Sequence, residues 1–407
     1  MNILLLSLNS FDDINSRGID SDLMREFIRR GYNVYIAAAS ERRAGGKTTL
    51  TKGENYQILK IRTLNIMRTN PIEKGLGILL IERQFNREIK KHWNDVKFDL
   101  ILYSTPPITF GKVIKEIKSR NNAPCYLMLK DIFPQNAVDM GMMRKNSFLY
   151  RLFRRKEKEL YAISDHIGCM SPANCEYVLR HNPETPPEKV ELCPNSLTLV
   201  TRHPVTEERH NALLEKFNIP EGKRILVYGG NLGVPQGLDF LLKVVEANEK
   251  RTDTFIVIVG NGTEYKRLAN WFHRHKPVNS TLHPILSKED YDALVCKGKI
   301  GLIFLDPRFT LPNFPSRLLS YLESSMPVLL ATDEVTDIGR IAEKENFGLW
   351  CKSGDIDAFM ANMDKLVKNP ELAEEMGCNG RKYMMENYTS DKVADIIEKS
   401  VHIKRDS

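Results

Sequence analysis

A glycine-rich segment, Tyr228-Gly-Gly-Asn-Leu-Gly233, follows an apolar run that is typical of a β-strand. Glycines let the backbone approach phosphate oxygens, and the helix expected to begin near Gly237 would offer free N–H groups and a partial positive charge. A second glycine turn, Gly260-Asn-Gly262, follows the next apolar run. Open α/β sheets bind ligands at the carboxyl ends of neighbouring strands. The pattern predicts a site for a nucleotide's diphosphate, although a tight turn without a ligand would use the same glycines.

A nicotinamide-binding Rossmann domain is the competing interpretation of these turns. Such a domain places an acidic residue at the end of its second strand, where it holds the ribose. This chain has Gly260 and Asn261 there, which weakens the dehydrogenase interpretation.

The segment Pro315-Ser-Arg317 precedes an apolar helical stretch. Proline and serine suit a helix start, with Ser316 as a candidate cap. Arg317 then lies in the first turn, where the helix dipole disfavours a basic residue. We therefore expect Arg317 to bind an anion; the alternative is a surface arginine.

Strand-like runs alternate with amphipathic helical stretches, which is the pattern of parallel sheets built from βαβ units. The predicted strands are Asn2–Leu8, Asn33–Ala38, Asp99–Tyr103, Cys125–Leu129, His166–Met170, Val190–Cys193, Arg224–Tyr228, Phe255–Val259, Thr281–Pro284, Ile300–Phe304 and Pro327–Ala331. The pattern restarts at Arg224 after a polar, proline-bearing connection, so we predict two Rossmann-like α/β domains, 1–197 and 198–386. Residues 387–407 should form an amphipathic helix that packs back on the first domain.

Composition restricts the class of protein. The chain has 407 residues, 42% of them hydrophobic, and its apolar runs fall far short of the roughly 20 residues of a membrane span. We expect no secretion signal at the N-terminus. Seven scattered cysteines without a C-x-x-C pair favour a reduced, cytosolic chain without a zinc site. Residues 1–200 carry 31 basic and 22 acidic side chains, against 28 and 30 in the rest, so an anionic membrane or nucleic acid is a candidate partner of the first half.

The order of these motifs resembles the retaining family-4 glycosyltransferases of the GT-B fold. It is most similar to the enzymes that add N-acetylfucosamine or a related amino sugar during bacterial capsule and O-antigen synthesis. The resemblance rests on both glycine turns, on Pro315-Ser-Arg317 leading to Tyr321 and Pro327-Val328, and on Lys130-Asp-Ile-Phe-Pro134 and Asp165-His-Ile167 in the first domain. It implies two Rossmann-like domains facing across a cleft, with the nucleotide-sugar on the second domain and the acceptor on the first.

The chain departs from the wider family at four positions. Two glutamates eight positions apart are replaced by Pro312 and Ser320, and a basic pair at the glycine loop is replaced by Asn231 and Gln236. We hypothesise that Glu323, one helical turn beyond Ser320, makes the ribose contact of the missing second glutamate. The lost basic pair moves the expected partner of the diphosphate to Arg317.

The candidate site residues form three groups. The donor-binding candidates are Gly229, Gly230, Asn231, Gly233, Gly260, Asn261, Leu286, Ser316, Arg317, Leu318 and Glu323. The catalytic candidates are Asp131, which would orient or deprotonate the acceptor hydroxyl, and Lys130, which would keep Asp131 ionised; a turn or capping aspartate is the alternative. Arg17 and Gly18 end the first strand-to-helix loop, and Ser104 and Thr105 lie at another strand end. All four are candidates for the acceptor or cleft side, where Arg17 and Gly18 could also touch the donor phosphate; a plain surface loop is the alternative for both segments.

Residues 142–158 mix apolar side chains with basic ones, among them Arg151, Arg154 and Arg155. Such a segment can lie on an anionic membrane, but a core-packed helix with a solvated charged face has the same composition. The resemblance favours the membrane, because its acceptors are polyprenyl-diphosphate-linked sugars. Nucleic-acid binding is disfavoured, since no groove-reading motif accompanies the basic run.

The resemblance thus implies transfer of an N-acetylamino-deoxyhexose from a UDP-sugar to a lipid-linked sugar, with retention of configuration and without a metal or other cofactor. Such a protein would work in the cytoplasm, on the inner face of the cell membrane. Two alternatives remain open: a UDP-sugar epimerase of the same fold, and a non-catalytic scaffold subunit that has lost the glutamate pair.

Overall fold

The chain forms two compact units in the computed structural model, which describes residues 1–45, 47–65, 71–200, 205–296 and 299–402. Unit 1 comprises Met1–Thr198 and the segment that begins at Thr389, and unit 2 comprises Leu199–Tyr388. The chain therefore passes between the units one residue after the first boundary expected from the sequence and two residues after the second.

Unit 1 is built on a sheet that contains eight strands within the described residues. Its elements in chain order are β1 (Asn2–Ser7), α1 (Ile19–Arg29), β2 (Asn33–Glu41), β3 (Thr49–Gly53), β4 (Tyr56–Thr63), α2 (Pro71–Trp93), β5 (Leu100–Ser104), α3 (Gly111–Asn121), β6 (Cys125–Leu129), α4 (Gln135–Asp139), α5 (Phe148–Ile163), β7 (His166–Cys169), α6 (Pro172–His181) and β8 (Val190–Leu192). The strand order is β3-β4-β2-β1-β5-β6-β7-β8, and only β3 and β4 pair antiparallel. The central strands are buried throughout, as continuous apolar runs in a parallel sheet should be.

Unit 2 repeats this architecture on a sheet to which its described residues contribute six parallel strands. Its elements are α7 (Glu207–Lys216), β9 (Arg224–Asn231), α8 (Leu238–Asn248), β10 (Thr254–Asn261), α9 (Tyr265–His275), β11 (Ser280–His283), α10 (Lys288–Leu294), β12 (Ile300–Phe304), α11 (Arg317–Glu323), β13 (Val328–Thr332), α12 (Ile338–Lys344), β14 (Gly348–Lys352), α13 (Ile356–Lys368) and α14 (Pro370–Asn387). The strand order is β11-β10-β9-β12-β13-β14. The order reverses between β9 and β12, so the loops after these strands flank a topological switch point.

The last helix, α15 (Ser390–Ser400), packs on α1 of unit 1. Val393, Ala394 and Ile397 are buried in the same apolar cluster as Phe27. The helix begins at Ser390 and not at residue 387, because Asn387 ends α14. Residues 403–407, the end of the predicted helix, lie outside the described residues.

Three strands were not predicted, and their sequences explain why. β3 is an edge strand with four of its five residues exposed, so it lacks an apolar run. β4 carries Gln57 and Lys60 at partly buried positions, which dilutes its apolar signal. β14 is only five residues long and includes a glycine and an exposed lysine, so its apolar run is short.

Candidate functional site

The two glycine turns of unit 2 lie side by side at the ends of β9 and β10. Gly230 pairs with Gly260 and Asn231 with Asn261, and the Leu232 N–H donates to the Asn261 carbonyl at 2.9 Å. A Cβ atom on Gly260 would lie 1.8 Å from the Gly230 carbonyl oxygen. This close backbone contact alone requires glycine at position 260, whether or not a ligand binds.

Two tyrosines hold the start of the glycine loop. The Gly229 N–H donates to the Tyr321 hydroxyl at 2.9 Å, and this hydroxyl donates to the Val227 carbonyl at 3.0 Å. A Cβ on Gly229 would also lie 2.6 Å from the hydroxyl oxygen of Tyr291. The loop is thus fixed to α11, the helix that carries Arg317, by a fully buried tyrosine.

Arg317 is the first residue of α11, and its side chain reaches the glycine loop. Its guanidinium carbon lies 4.1 Å from the centroid of the Tyr228 ring. Nη2 donates to the Asn231 carbonyl at 3.3 Å and to the Gln236 side-chain oxygen. Nη1 is buried and has no hydrogen-bond partner among the described residues. An unpaired buried donor on a cation is costly, and an anion beside Nη1 would satisfy it.

The remainder of the loop places its backbone toward the solvent. Gly230 is exposed with φ 125°, a conformation that disfavours any side chain. Asn231 is exposed, whereas Gly233 is buried. Gly237 begins α8 in the left-handed region, and a Cβ there would lie 2.7 Å from the Leu305 carbonyl oxygen. The helix thus starts where the sequence predicted.

Four further donor candidates differ in what they can offer. Ser316 is exposed at the cap position of α11, but its side chain makes no capping hydrogen bond, so the predicted cap is wrong. Leu318 is fully buried, so its side chain belongs to the core and not to the donor site. Leu286 is half-buried after β11. Asn261 turns its side-chain oxygen back to accept from the Gly262 N–H at 2.8 Å.

Glu323 does not take the place of the missing glutamate. Its side chain is 1% exposed and accepts from the Val200 N–H at 3.2 Å, and its carbonyl accepts from Arg381. Three residues beyond Ser320, it lies on the side of α11 that faces the interior. The carboxylate fixes the start of unit 2 to α11, and a ribose hydroxyl would have to displace it.

In unit 1, Asp131 follows β6 in a half-buried turn. Asn136 of α4 holds its carboxylate, with Nδ2 at 2.7 Å from both oxygens. Burial raises the pKa of Asp131 to about 6, and the hydrogen bonds from Asn136 and the backbone oppose this shift. The carboxyl therefore titrates close to neutrality, as a group that handles a proton would.

Lys130 does not keep Asp131 ionised, as the sequence had suggested. Its ammonium group pairs with Asp20 of α1, and both side chains are largely buried. The charge is therefore neutralised away from Asp131, and it is the Asn136 amide that favours the charged carboxylate.

Ser104 and Thr105 end β5 and are both buried. The Thr105 hydroxyl donates to the Asp131 carbonyl at 2.8 Å and accepts from the Asp131 N–H at 3.3 Å. Thr105 thus positions the backbone of Asp131, and its side chain is not open to a ligand.

Arg17 and Gly18 precede α1. The Gly18 N–H donates to Asp22 at 3.0 Å, and the same fully buried carboxylate accepts from the Thr198 N–H at 2.8 Å. Arg17 Nη2 lies 3.5 Å from the Thr198 carbonyl. These two donors are directed to Asp22 and Thr198 of the same unit, which agrees better with a structural loop than with a ligand contact.

The three arginines of α5 differ. Arg154 donates to Glu157 at 2.6 Å and to the end of α6, at the His181 carbonyl and Asn182, so it is a packing residue and not a membrane contact. Arg155 is exposed and pairs with Glu159 at 3.0 Å, and Arg151 is exposed. Exposed apolar side chains accompany them: Met142, Phe148, Leu149 and Leu152.

No helix among the described residues is both long and apolar enough to span a bilayer. Within the same ranges, no three His, Cys, Asp or Glu side chains gather as ligands for a metal ion.

The part of the chain that holds the glycine loops and Arg317 is similar to a known protein family. Residues 210–383 match the family Glycosyl transferases group 1. This stretch includes the residues described above from Tyr228 to Arg317. The narrower N-acetylfucosamine subgroup stays a prediction.

Two curated relatives of the chain are bacterial. The probable glycosyltransferase WbjE of Pseudomonas aeruginosa is 23% identical over 324 residues, which cover 77% of this chain and 76% of the relative. The putative colanic acid biosynthesis glycosyl transferase WcaI of Escherichia coli K12 is 26% identical over 158 residues, 38% of each chain.

The fold extends over the whole chain. HepE of Anabaena, solved in complex with UDP, matches with a TM-score of 0.67 at 11% identity, covering 99% of this chain and 100% of HepE. The prediction of a two-domain α/β GT-B fold is confirmed.

Sequence reasoning missed the residues that hold the functional groups in place. They are Tyr228, Gln236, Tyr321 and Tyr291 around the glycine loop, and Asp20 and Asn136 in unit 1. Gln236 could have been found, because the family resemblance implies a basic residue at its position. The others act through contacts between residues far apart in the chain, which no local spacing indicates.

Proposed function

We propose that the protein is a retaining, metal-independent glycosyltransferase that uses a UDP-sugar. The sugar transferred is an N-acetylamino-deoxyhexose such as N-acetylfucosamine, and the acceptor is a polyprenyl-diphosphate-linked sugar in capsule or O-antigen synthesis. The observation that carries this proposal is the buried, unpartnered Nη1 of Arg317 beside the glycine loop.

The chemistry explains why this arginine matters. The sugar's anomeric carbon loses its bond to the diphosphate oxygen as it gains a bond to the acceptor oxygen. Negative charge therefore grows on the leaving diphosphate, and a preorganised cation stabilises the transition state more than the bound substrate. In front-face attack the acceptor's proton passes to a diphosphate oxygen, so retention needs no protein nucleophile.

Asp131 is the residue we assign to the acceptor hydroxyl. Its carboxylate would accept a hydrogen bond from that hydroxyl and orient it for attack, a task that needs the charged form. A pKa of about 6 leaves Asp131 mostly ionised at neutral pH.

The choice of UDP is supported by the structural likeness to HepE, which was solved with UDP. The place in polysaccharide synthesis is supported by the similarity to WcaI, a putative colanic acid biosynthesis glycosyl transferase. The N-acetylamino-deoxyhexose rests on the motif resemblance.

The lipid-linked acceptor is supported by the surface of α5. Phe148 is 82% exposed, and Leu149 and Leu152 are also exposed beside Arg151 and Arg155. An apolar face with flanking cations suits an anionic bilayer. We therefore place the protein on the inner face of the cell membrane, as a peripheral protein.

The test is to incubate the purified protein with a panel of UDP-sugars, with and without a lipid-linked saccharide and with EDTA present. Transfer with retained anomeric configuration supports the proposal. Acceptor-independent formation of an epimer would identify an epimerase, and absence of both UDP release and UDP-sugar binding would favour a scaffold. Arg317→Ala serves as the inactive control, and loss of activity in EDTA would refute metal independence.

A further inference from the structure

Among the described residues, one side chain donates hydrogen bonds to the half-buried carboxylate of Asp131, and it comes from the next helix. Asn136 lies in α4, five residues further on, and its Nδ2 is 2.7 Å from each Asp131 oxygen. A carboxylate can only accept hydrogen bonds, so the contact fixes which end of the amide points to Asp131. The Asn136 oxygen then faces away, buried and without a partner among the described residues.

The charged groups nearby are directed elsewhere. Lys130 pairs with Asp20 of α1, and Asp139 on the same helix as Asn136 accepts from Gln135 at 2.7 Å. Thr105, which packs from the end of β5, contacts the Asp131 backbone and carries no charge. The balance between the charged and neutral forms of Asp131 is therefore set by burial, which disfavours the charge, and by hydrogen bonds, which favour it.

We propose that Asn136 is a positioning residue for the transfer reaction: it fixes the Asp131 carboxylate in one orientation and keeps it ionised at neutral pH. This inference rests on the proposed function, in which Asp131 orients the acceptor hydroxyl. Thr105 and Asn136 divide the task, since Thr105 holds the backbone of Asp131 and Asn136 holds its carboxylate.

The experiment is a pH profile of kcat and KM for wild type and Asn136→Ala. The wild-type acid limb should have its midpoint near 6, the pKa of Asp131. Loss of a hydrogen bond to the charged form should move this midpoint up by about one unit, so that kcat falls about tenfold more at low pH than on the plateau. Donor KM should stay unchanged. A uniform loss of kcat without a moved midpoint would show a merely structural role and overturn the inference.

Two controls keep the outcomes separable. Gln135→Ala removes an amide from the same helix whose partner is Asp139, and it should leave the midpoint in place. If Asn136→Ala fails to fold, Asn136→Asp replaces it, because a second carboxylate should raise the midpoint even further. Full turnover in Asp131→Asn would refute the role of Asp131 in the proposed function. If Asp131→Asn is inactive but Asn136→Ala keeps the wild-type midpoint, only the inference about Asn136 is refuted.

Discussion

The guanidinium of Arg317 lies over the ring of Tyr228, 4.1 Å from its centroid, at the base of the glycine loop. An aromatic face attracts a cation without neutralising it. The other contacts of this side chain, the Asn231 carbonyl and the Gln236 amide, are also neutral. The positive charge is thus held in place and stays available to an anion.

Replacing Arg317 with alanine should weaken UDP binding about 10- to 100-fold, since a hydrogen bond to a charged group contributes about 1.5–3 kcal/mol. Arg317→Lys should recover only part of the affinity, because an ammonium lacks the planar fork. Isothermal titration with UDP measures both. Arg274→Ala is the matched control, since Arg274 is exposed on α9, and equal losses in the two alanine variants would contradict a specific role for Arg317.

Gln236→Glu tests whether the neutrality of the Arg317 contacts matters. A carboxylate at this position would form an ion pair with the guanidinium and compete with the diphosphate. We expect UDP affinity to fall about tenfold or more, whereas Gln236→Met should cost less, because it removes a contact without adding a charge. Unchanged UDP affinity in Gln236→Glu would show that Arg317 does not contact the diphosphate.

The sequence could predict those parts of this site that local patterns indicate. The glycine turns and the start of α11 are local patterns, and the structure has β9, α8 and α11 where they indicated. Arg317 was singled out by its unfavourable position in a first helical turn. The partners of Arg317 were not, because the Tyr228 contact depends on how α11 packs against β9.

The roles predicted for Glu323 and Lys130 were wrong. Both were assigned by proximity in the sequence, Glu323 to the missing glutamate and Lys130 to Asp131. The structure instead turns Glu323 inward to Val200 and Lys130 to Asp20. Neighbouring residues on a helix or at a strand end point in different directions, so spacing alone could not decide what each carboxylate or ammonium contacts.

Asp131→Asn should abolish transfer while raising stability above pH 6. The pKa of Asp131 is raised from 3.8 to about 6, so the folded state favours the protonated form, and keeping the group charged costs stability as pH rises through this window. The full shift corresponds to about 3 kcal/mol. In denaturant unfolding, the free energy of unfolding of the variant relative to wild type should therefore be higher at pH 8 than at pH 4. Equal free energies of unfolding at both pH values would rule out this cost.

Arg154→Ala should lower stability, while Arg155→Ala should not. Arg154 donates to Glu157, which is 4% exposed and whose pKa is raised by burial despite the nearby arginine. Removing Arg154 leaves this carboxylate without its cation, at a cost of about 3 kcal/mol or more. The loss should grow with pH, as Glu157 is forced to ionise. Arg155 is exposed on the same helix and serves as the control, measured by thermal unfolding at pH 5 and pH 8.

The exposed face of α5 should bind anionic vesicles through two separable contributions. Arg151→Gln with Arg155→Gln removes two cations, each contributing about 1 kcal/mol near an anionic surface, so binding should fall about 30-fold at low salt and less at high salt. The double variant Phe148→Ser, Leu152→Ser instead removes apolar contact with the bilayer, so its loss of vesicle binding should persist at high salt. Sedimentation with phosphatidylglycerol and phosphatidylcholine vesicles measures both pairs. Wild-type protein that sediments with neither kind of vesicle would refute membrane docking through α5.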